Sequence, residues 1–235
     1  LVSVSNGRLM NHDINTDKTA TYTWRVINPI NGYGINVSAG DYVHYNETYA
    51  GEKGPLDLDY YVLSYNLDKA KKQFKQVPKM LEAFEYWFGP YPFYEDGFKL
   101  VEAPYLGMEH QSSVAYGNGF ENGFLGGDLS FTGEGLKFDF IIIHESGHEW
   151  FANSLTNYDV ADMWIHEGFT TYSEVLYLDY HFGSPSGNKY LIGLRDRIIN
   201  NIPVTGIYKV NQLGSDDMYF KGAAMIHTLR QVIDI

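Results

Sequence analysis

An α+β fold is predicted by three features of this 235-residue chain. Residues 1–63 carry the two-residue alternation of half-buried strands. Near Asp68 the apolar spacing changes to threes and fours, and further on two apolar stretches carry charged residues at helical spacing. A hydrophobic content of 44% is enough for a real core. The 20 tyrosines and 14 phenylalanines suit packed interiors and clefts lined for side-chain binding. A formal net charge of −12 argues against a nucleic-acid partner, which needs clustered Lys and Arg. The absence of cysteine excludes disulfides, thiolate metal sites and a cysteine nucleophile. No apolar run approaches the roughly 20 residues of a membrane span. No basic-then-apolar leader opens the chain, and the sequence specifies no compartment.

The elements follow in order. Tyr22, Trp24 and Val26 alternate with Thr21, Thr23 and Arg25 as one strand, and Asn28-Pro29-Ile30-Asn31-Gly32 is a turn. Ile35 and Val37 begin a second strand, Tyr42 to Tyr49 form a third, and Leu56, Leu58 and Tyr60 alternate in a fourth. Phe74, Val77, Leu81, Phe84 and Phe88 are spaced for a helix, and Pro78 predicts two helices or a kink there. A strand is expected near Lys99–Glu102 and another around Glu109. Seven glycines between Gly117 and Gly135 predict loop and short strands. The chain ends in a helix that includes Ala223 to Val232.

The densest chemistry lies in His144-Glu145-Ser146-Gly147-His148, followed 18 residues later by Glu167. Histidines four apart share one helix face, so both imidazoles can hold one zinc ion at about 2.0–2.1 Å. Glu167 completes a His₂Glu set with an open fourth position, the arrangement of a catalytic rather than a structural zinc. Glu145, one step round the helix, is placed to act on water without being a ligand. The apolar flanks Phe138, Ile141–Ile143, Trp150 and Phe151 predict a buried helix, and burying two histidines and two glutamates without a partner is costly. Glu174 lies two helical turns after Glu167, and Asn153 five residues after His148; both are expected to support a ligand histidine.

Further blocks make the chain recognisable. Trp164-Ile165-His166-Glu167-Gly168-Phe169 completes the zinc pattern. Leu106-Gly107-Met108-Glu109-His110 is similar to a G-x-M-E-N motif, Tyr219-Phe220-Lys221-Gly222-Ala223 to a Y-x-K-G block, and Phe88-Gly89-Pro90-Tyr91-Pro92-Phe93 to the segment before a substrate strand. Taken in their order along the chain, they resemble the M1 family of zinc aminopeptidases, within the gluzincins. The resemblance implies a thermolysin-like α+β catalytic domain over residues 64–235, cut short at its C-terminal end, with residues 1–63 as the last strands of an N-terminal β domain. It implies one Zn²⁺ per chain and peptide substrates with a free N-terminus. Glu145 is then the general base, Tyr219 the donor to the oxyanion, and Glu109, beside Gly107 and Met108, the group that binds the α-ammonium. A second polar residue gripping that amine is expected before residue 1, leaving residues 1–235 alone weakly active or inactive. Leu106, His110 and His166 depart from the family pattern; His166 reads either as a neighbour of the metal site or as an exposed histidine. The alternatives are a related gluzincin endopeptidase or epoxide hydrolase, or a catalytically silent binding module.

Overall fold

A computed structural model describes residues 1–233 as a mixture of helix and sheet. Two small antiparallel pairs come first. β1 (Val2–Ser5) pairs with β4 (Val37–Gly40), and β2 (Arg8–Ile14) with β3 (Ala20–Arg25). The main sheet joins β5 (Tyr42–Gly51), β6 (Gly54–Leu63), β7 (Phe98–Glu102), β8 (Gly107–Met108) and β9 (Val114–Tyr116) in the order β5-β6-β7-β9-β8. β6, β7 and β9 run parallel, and β5 and β8 flank them antiparallel.

Strand periodicity gives this sheet two different faces. Leu56, Leu58, Tyr60, Leu100, Val114 and Tyr116 are buried in the main core. Tyr61 and Val101, on the opposite face, pack with Val4, Trp24 and Tyr42. Lys99 shares that second face; its Nζ donates to the Gly7 carbonyl and lies 5.5 Å from the Trp24 ring centroid. Burial pushes this ammonium down to about 8. The sheet also runs across residue 63, since β6 before it pairs directly with β7 after it.

The predicted break near Pro78 is present as two helices, α1 (Leu67–Gln73) and α2 (Gln76–Phe88). Pro78 sits in the first turn of α2, where its missing N–H leaves no helical bond unmade, so the break falls earlier, at Phe74 and Lys75. The glycine-rich segment 117–135 holds only isolated bridges and one short 3₁₀ turn from Glu134. Four long-range helices follow: α3 (Phe140–Gly147), α4 (Trp164–Phe182), α5 (Ser184–Leu194) and α6 (Asp217–Ile233). α4 is the central one, touching α2, α3, α5 and α6. Among the described residues no helix is long and apolar enough to cross a membrane.

Candidate metal centre and active-site cleft

The start of α3 is fixed by Asp139, whose carboxylate accepts from the backbone N–H groups of Ile141 and Ile142 at 3.1 and 3.3 Å. Tyr116, Asn118 and Gln73 donate to the same carboxylate, which burial still pushes up to about 6. Ile141, Ile142 and Ile143 are fully buried and carry the next turn into the core with them. The helix ends at Gly147. A widened turn over Glu149–Ser154 follows, closed by bonds from Asn153 N to His148 O (3.0 Å) and Leu155 N to Trp150 O (2.9 Å).

Three side chains converge in front of α3. His144 Nε2 and His148 Nε2 each lie 3.4 Å from the same oxygen of Glu167, which stands in the first turn of α4. One ligand atom from each lies within 4.8 Å of the other two. The far sides of both rings are held. His144 Nδ1 meets Glu174 at 2.7 Å, and Tyr190 donates to the other oxygen of Glu174 at 2.6 Å. His148 Nδ1 meets the Phe151 carbonyl at 3.1 Å and the Thr170 hydroxyl at 3.0 Å. Each Nε2 therefore faces Glu167 in a fixed orientation.

The donor set fits a divalent ion. Glu167 Oε2 is buried and has no hydrogen-bond partner, although two imidazoles face it. Two imidazoles and one carboxylate are the ligand types that suit zinc. Burial opposes charge on His148, but Glu167 and Glu109 outweigh it and push the imidazole up to about 9. His144 is likewise raised against its burial, by Glu167 and Glu174, while the imidazoles depress Glu167 despite its burial. The surroundings thus demand positive charge where a metal cation would supply it.

The remaining candidates surround that point. Glu145 is buried and pushed up to about 7 by desolvation, with His144 and His148 pulling the other way. β8 lies directly against it: a Cβ on Gly107 would fall 2.6 Å from Glu145 Oε1, so a larger residue there would displace the Glu145 side chain. Glu109 follows β8, and its carboxylate, that of Glu145 and His148 offer atoms within 4.8 Å of one another. α6 crosses α4 with Gly222 against Gly168, where a Cβ on Gly222 would meet the Gly168 Cα at 2.9 Å. That crossing brings Tyr219 to His144, with ring centroids 6.2 Å apart. Burial and the charge of Glu167 raise the Tyr219 phenol, which keeps its proton.

Gly107, Met108, Glu109, His144, Glu145, His148, Glu167 and Tyr219 all line one cleft of about 380 Å³, together with Tyr33, Met163, Leu213 and Met218. An apolar pocket of similar volume shares His144, Glu145 and Tyr219 and is walled by Leu106, Phe124, Leu129, Phe140 and Phe220. A larger cavity of about 480 Å³ between α5 and α6 touches none of these groups. Asn153 stands elsewhere than expected. α3 has ended before it; its backbone N–H bonds the His148 carbonyl at 3.0 Å, and its side-chain amide donates to the Glu109 carbonyl at 2.8 Å rather than to an imidazole of His144 or His148. His166 is buried, accepts from Asn157 N at 2.9 Å and does not line the cleft. His110 is half-buried beside Glu109.

Residues 65–234 match the family model described as the peptidase family M1 domain. The chain belongs to peptidase family M1. Human aminopeptidase B is 30% identical over 156 residues, which are 65% of this chain and 21% of that protein. Mouse endoplasmic reticulum aminopeptidase 1 is 24% identical over 194 residues, 77% of this chain and 20% of its own length. The chain thus spans about a fifth of the length of these curated relatives. An M1 zinc metallopeptidase from Deinococcus radiodurans, solved as a variant bound to Tyr-Ser-Ala, shares the fold with a TM-score of 0.79 at 18% identity, covering 97% of this chain and 49% of that one. Legionella pneumophila aminopeptidase A, solved with aspartic acid, gives a TM-score of 0.74 at 20% identity over 99% of this chain and 27% of its own. For this M1 chain, sequence reasoning did not single out Thr170, Tyr190 or Tyr33. Thr170 had a usable signal, lying three residues after Glu167 on the same helix face. Tyr190 and Tyr33 had none among 20 tyrosines.

Proposed function

We propose that this chain carries the reaction centre of a zinc-dependent aminopeptidase that removes the N-terminal residue from peptides. The observation that supports this most is the convergence of His144, His148 and Glu167 on one point, with Glu145, Glu109 and Tyr219 around the same cleft. His144, His148 and Glu167 would hold the zinc, which when bound supplies Lewis acidity toward water and the scissile carbonyl.

The chain's own groups do the rest. Glu145 takes a proton from the attacking water and passes it to the departing amine, a role supported by the closeness of its carboxylate to both His148 and Glu109. The Tyr219 hydroxyl donates to the oxygen that becomes negative as water adds. Glu109 accepts a charge-assisted hydrogen bond from the free α-ammonium, with Gly107 and Met108 forming the strand beside it. Glu174 keeps the His144 imidazole turned toward the metal. Residues 1–41 then belong with an N-terminal β domain. The catalytic unit, of thermolysin-like type, begins with β5 and β6, because those strands share its sheet.

The test uses zinc-loaded full-length protein. A free aminoacyl arylamide should be hydrolysed and its N-acetyl counterpart should not. Glu145→Gln should retain zinc and lose about 10²–10⁴ in kcat, the usual contribution of a general base. Preference for the blocked substrate, or near-full kcat in the variant, would overturn the reading.

A further inference from the structure

We propose that Arg197 is a positioning residue that sets which peptides this site prefers. It clasps the glycine-rich segment to α6, fixes the shape of the apolar pocket beside Glu145, and so favours a bulky apolar side chain on the residue just after the scissile bond. The inference rests on the aminopeptidase reading above. Two recesses share His144, Glu145 and Tyr219, and Glu109 lines only one of them. A peptide with its amine on Glu109 and its scissile carbonyl at Glu145 carries its second residue away from Glu109, into the other recess. That recess has a volume of about 380 Å³ and is walled mainly by Leu106, Phe124, Leu129, Phe140 and Phe220.

Two of these walls come from distant parts of the chain. Leu129 belongs to the glycine-rich segment and Phe220 to α6, and Arg197 joins them. Arg197 stands in the short 3₁₀ turn that follows α5 (Arg195–Arg197). Its Nε donates to the Leu129 carbonyl at 2.6 Å. Its guanidinium carbon lies 5.0 Å from the Phe131 ring centroid and 5.8 Å from that of Phe220, within the range of cation–π attraction. Among the described residues, the arginines held in ion pairs are Arg8 and Arg230, not Arg197. Phe131 is 77% exposed, so its ring gains the guanidinium rather than burial. The segment needs such a clasp. Leu125 and Phe131 hold φ of 49° and 58°, a left-handed conformation that is costly for bulky side chains. Strain of this kind persists only where surrounding contacts impose it. Asn118 accepts from Leu125 N at 2.8 Å on one side, and Arg197 grips Leu129 and Phe131 on the other. α5 presses on the same stretch, since a Cβ on Gly193 would fall 2.1 Å from the Ser130 carbonyl oxygen. Without the guanidinium, Leu129 and Phe220 lose the group that keeps them facing one pocket.

The experiment uses zinc-loaded full-length protein and two dipeptide amides, X-Phe-NH₂ and X-Ala-NH₂, where X is the residue released fastest from its arylamide. The unsubstituted protein should favour the phenylalanyl amide in kcat/KM by about tenfold or more, the scale on which an apolar pocket discriminates. Arg197→Met keeps the apolar stem and removes the guanidinium. It should lower that preference about fivefold, with the loss in KM for the phenylalanyl amide. The alanyl amide should change less than about twofold, and kcat, zinc content and the thermal midpoint should be retained. Phe131→Leu removes one face of the clasp at an exposed position, and so tests it even if the first variant does not fold; it should move the preference the same way by about twofold. Equal losses on both amides, or an unchanged preference in the variants, would overturn the proposal. So would an unsubstituted protein that cleaves the two amides alike. A protein that releases X from neither amide would instead sink the aminopeptidase reading, and the role of Arg197 would fall with it.

Discussion

The helices α3 and α4, and the β1–β4 segment through Tyr33 in the loop between β3 and β4, reach the same cleft by opposite means. In the helices the polar groups of the site are buried: His148 is 2% exposed and Glu174 1%, and each is held by partners on neighbouring helical turns or helices. In β2 and β3 most side chains face solvent. These N-terminal strands are attached to the rest of the molecule by a small apolar cluster of Val4 and Trp24 with Tyr61 and Val101, and by single polar side chains. Asn6 spans two segments, Asp96 accepts from Ile27 N, Asn28 N and Asn28 Nδ2, and Lys99 reaches back to Gly7. The helices hold their geometry by burial within one compact motif. The strands hold theirs by one small apolar cluster and a few bonds to backbone carbonyls and amides more than 25 residues away in sequence.

That contrast can be broken by substitutions on each side. The largest effect is expected on the helical side. Tyr219→Phe removes the hydroxyl and should lower kcat about 10²–10³-fold with zinc retained; a change confined to KM would take Tyr219 out of the oxyanion role. Glu174→Ala should come next. It frees the His144 ring and orphans the Tyr190 hydroxyl, so zinc affinity should fall about 10–100-fold in competition with a chelating dye. Unchanged affinity would mean that His144 is oriented without Glu174. On the strand side, Asn6→Ala leaves the Gly34 and Gln111 carbonyls without that donor. It should cost about 1–3 kcal/mol in denaturant unfolding while zinc affinity stays constant. A parallel loss of zinc would erase the distinction between the two regions.

Much of the helical side is legible in the sequence because its relationships are periodic. The spacing of His144 and His148, and of Glu167 and Glu174, states which side chains share a face before any fold is known. The reasoning stops where periodicity stops. Asn153 was counted five residues on from His148 as though the helix continued; the widened turn after Gly147 redirects its amide to the Glu109 carbonyl. Pro78 signalled a break, but its tolerance in a first turn moved that break to Phe74 and Lys75. The placement of Tyr33 depends on strand order and on Asn6 meeting Gln111, contacts between distant segments that no local pattern encodes. The sheet order β5-β6-β7-β9-β8 is of the same kind, and it is why the sheet crosses the expected division at residue 63.

The supports of the His144 and His148 rings differ in how far along the chain they lie. Phe151, which receives His148 Nδ1, is three residues away, whereas Glu174, which receives His144 Nδ1, is 30 residues away and is itself held by Tyr190 on α5. The turn after α3 supplies one of the two partners of His148 Nδ1, and Thr170 on α4 supplies the other. The His144 ring stacks on Phe140 of its own helix, but its Nδ1 partner comes from α4 and that partner's own partner from α5. The orientation of the His144 ring is thus tied to the docking of α4 and α5, whereas part of the support of the His148 ring is local to the turn that follows it.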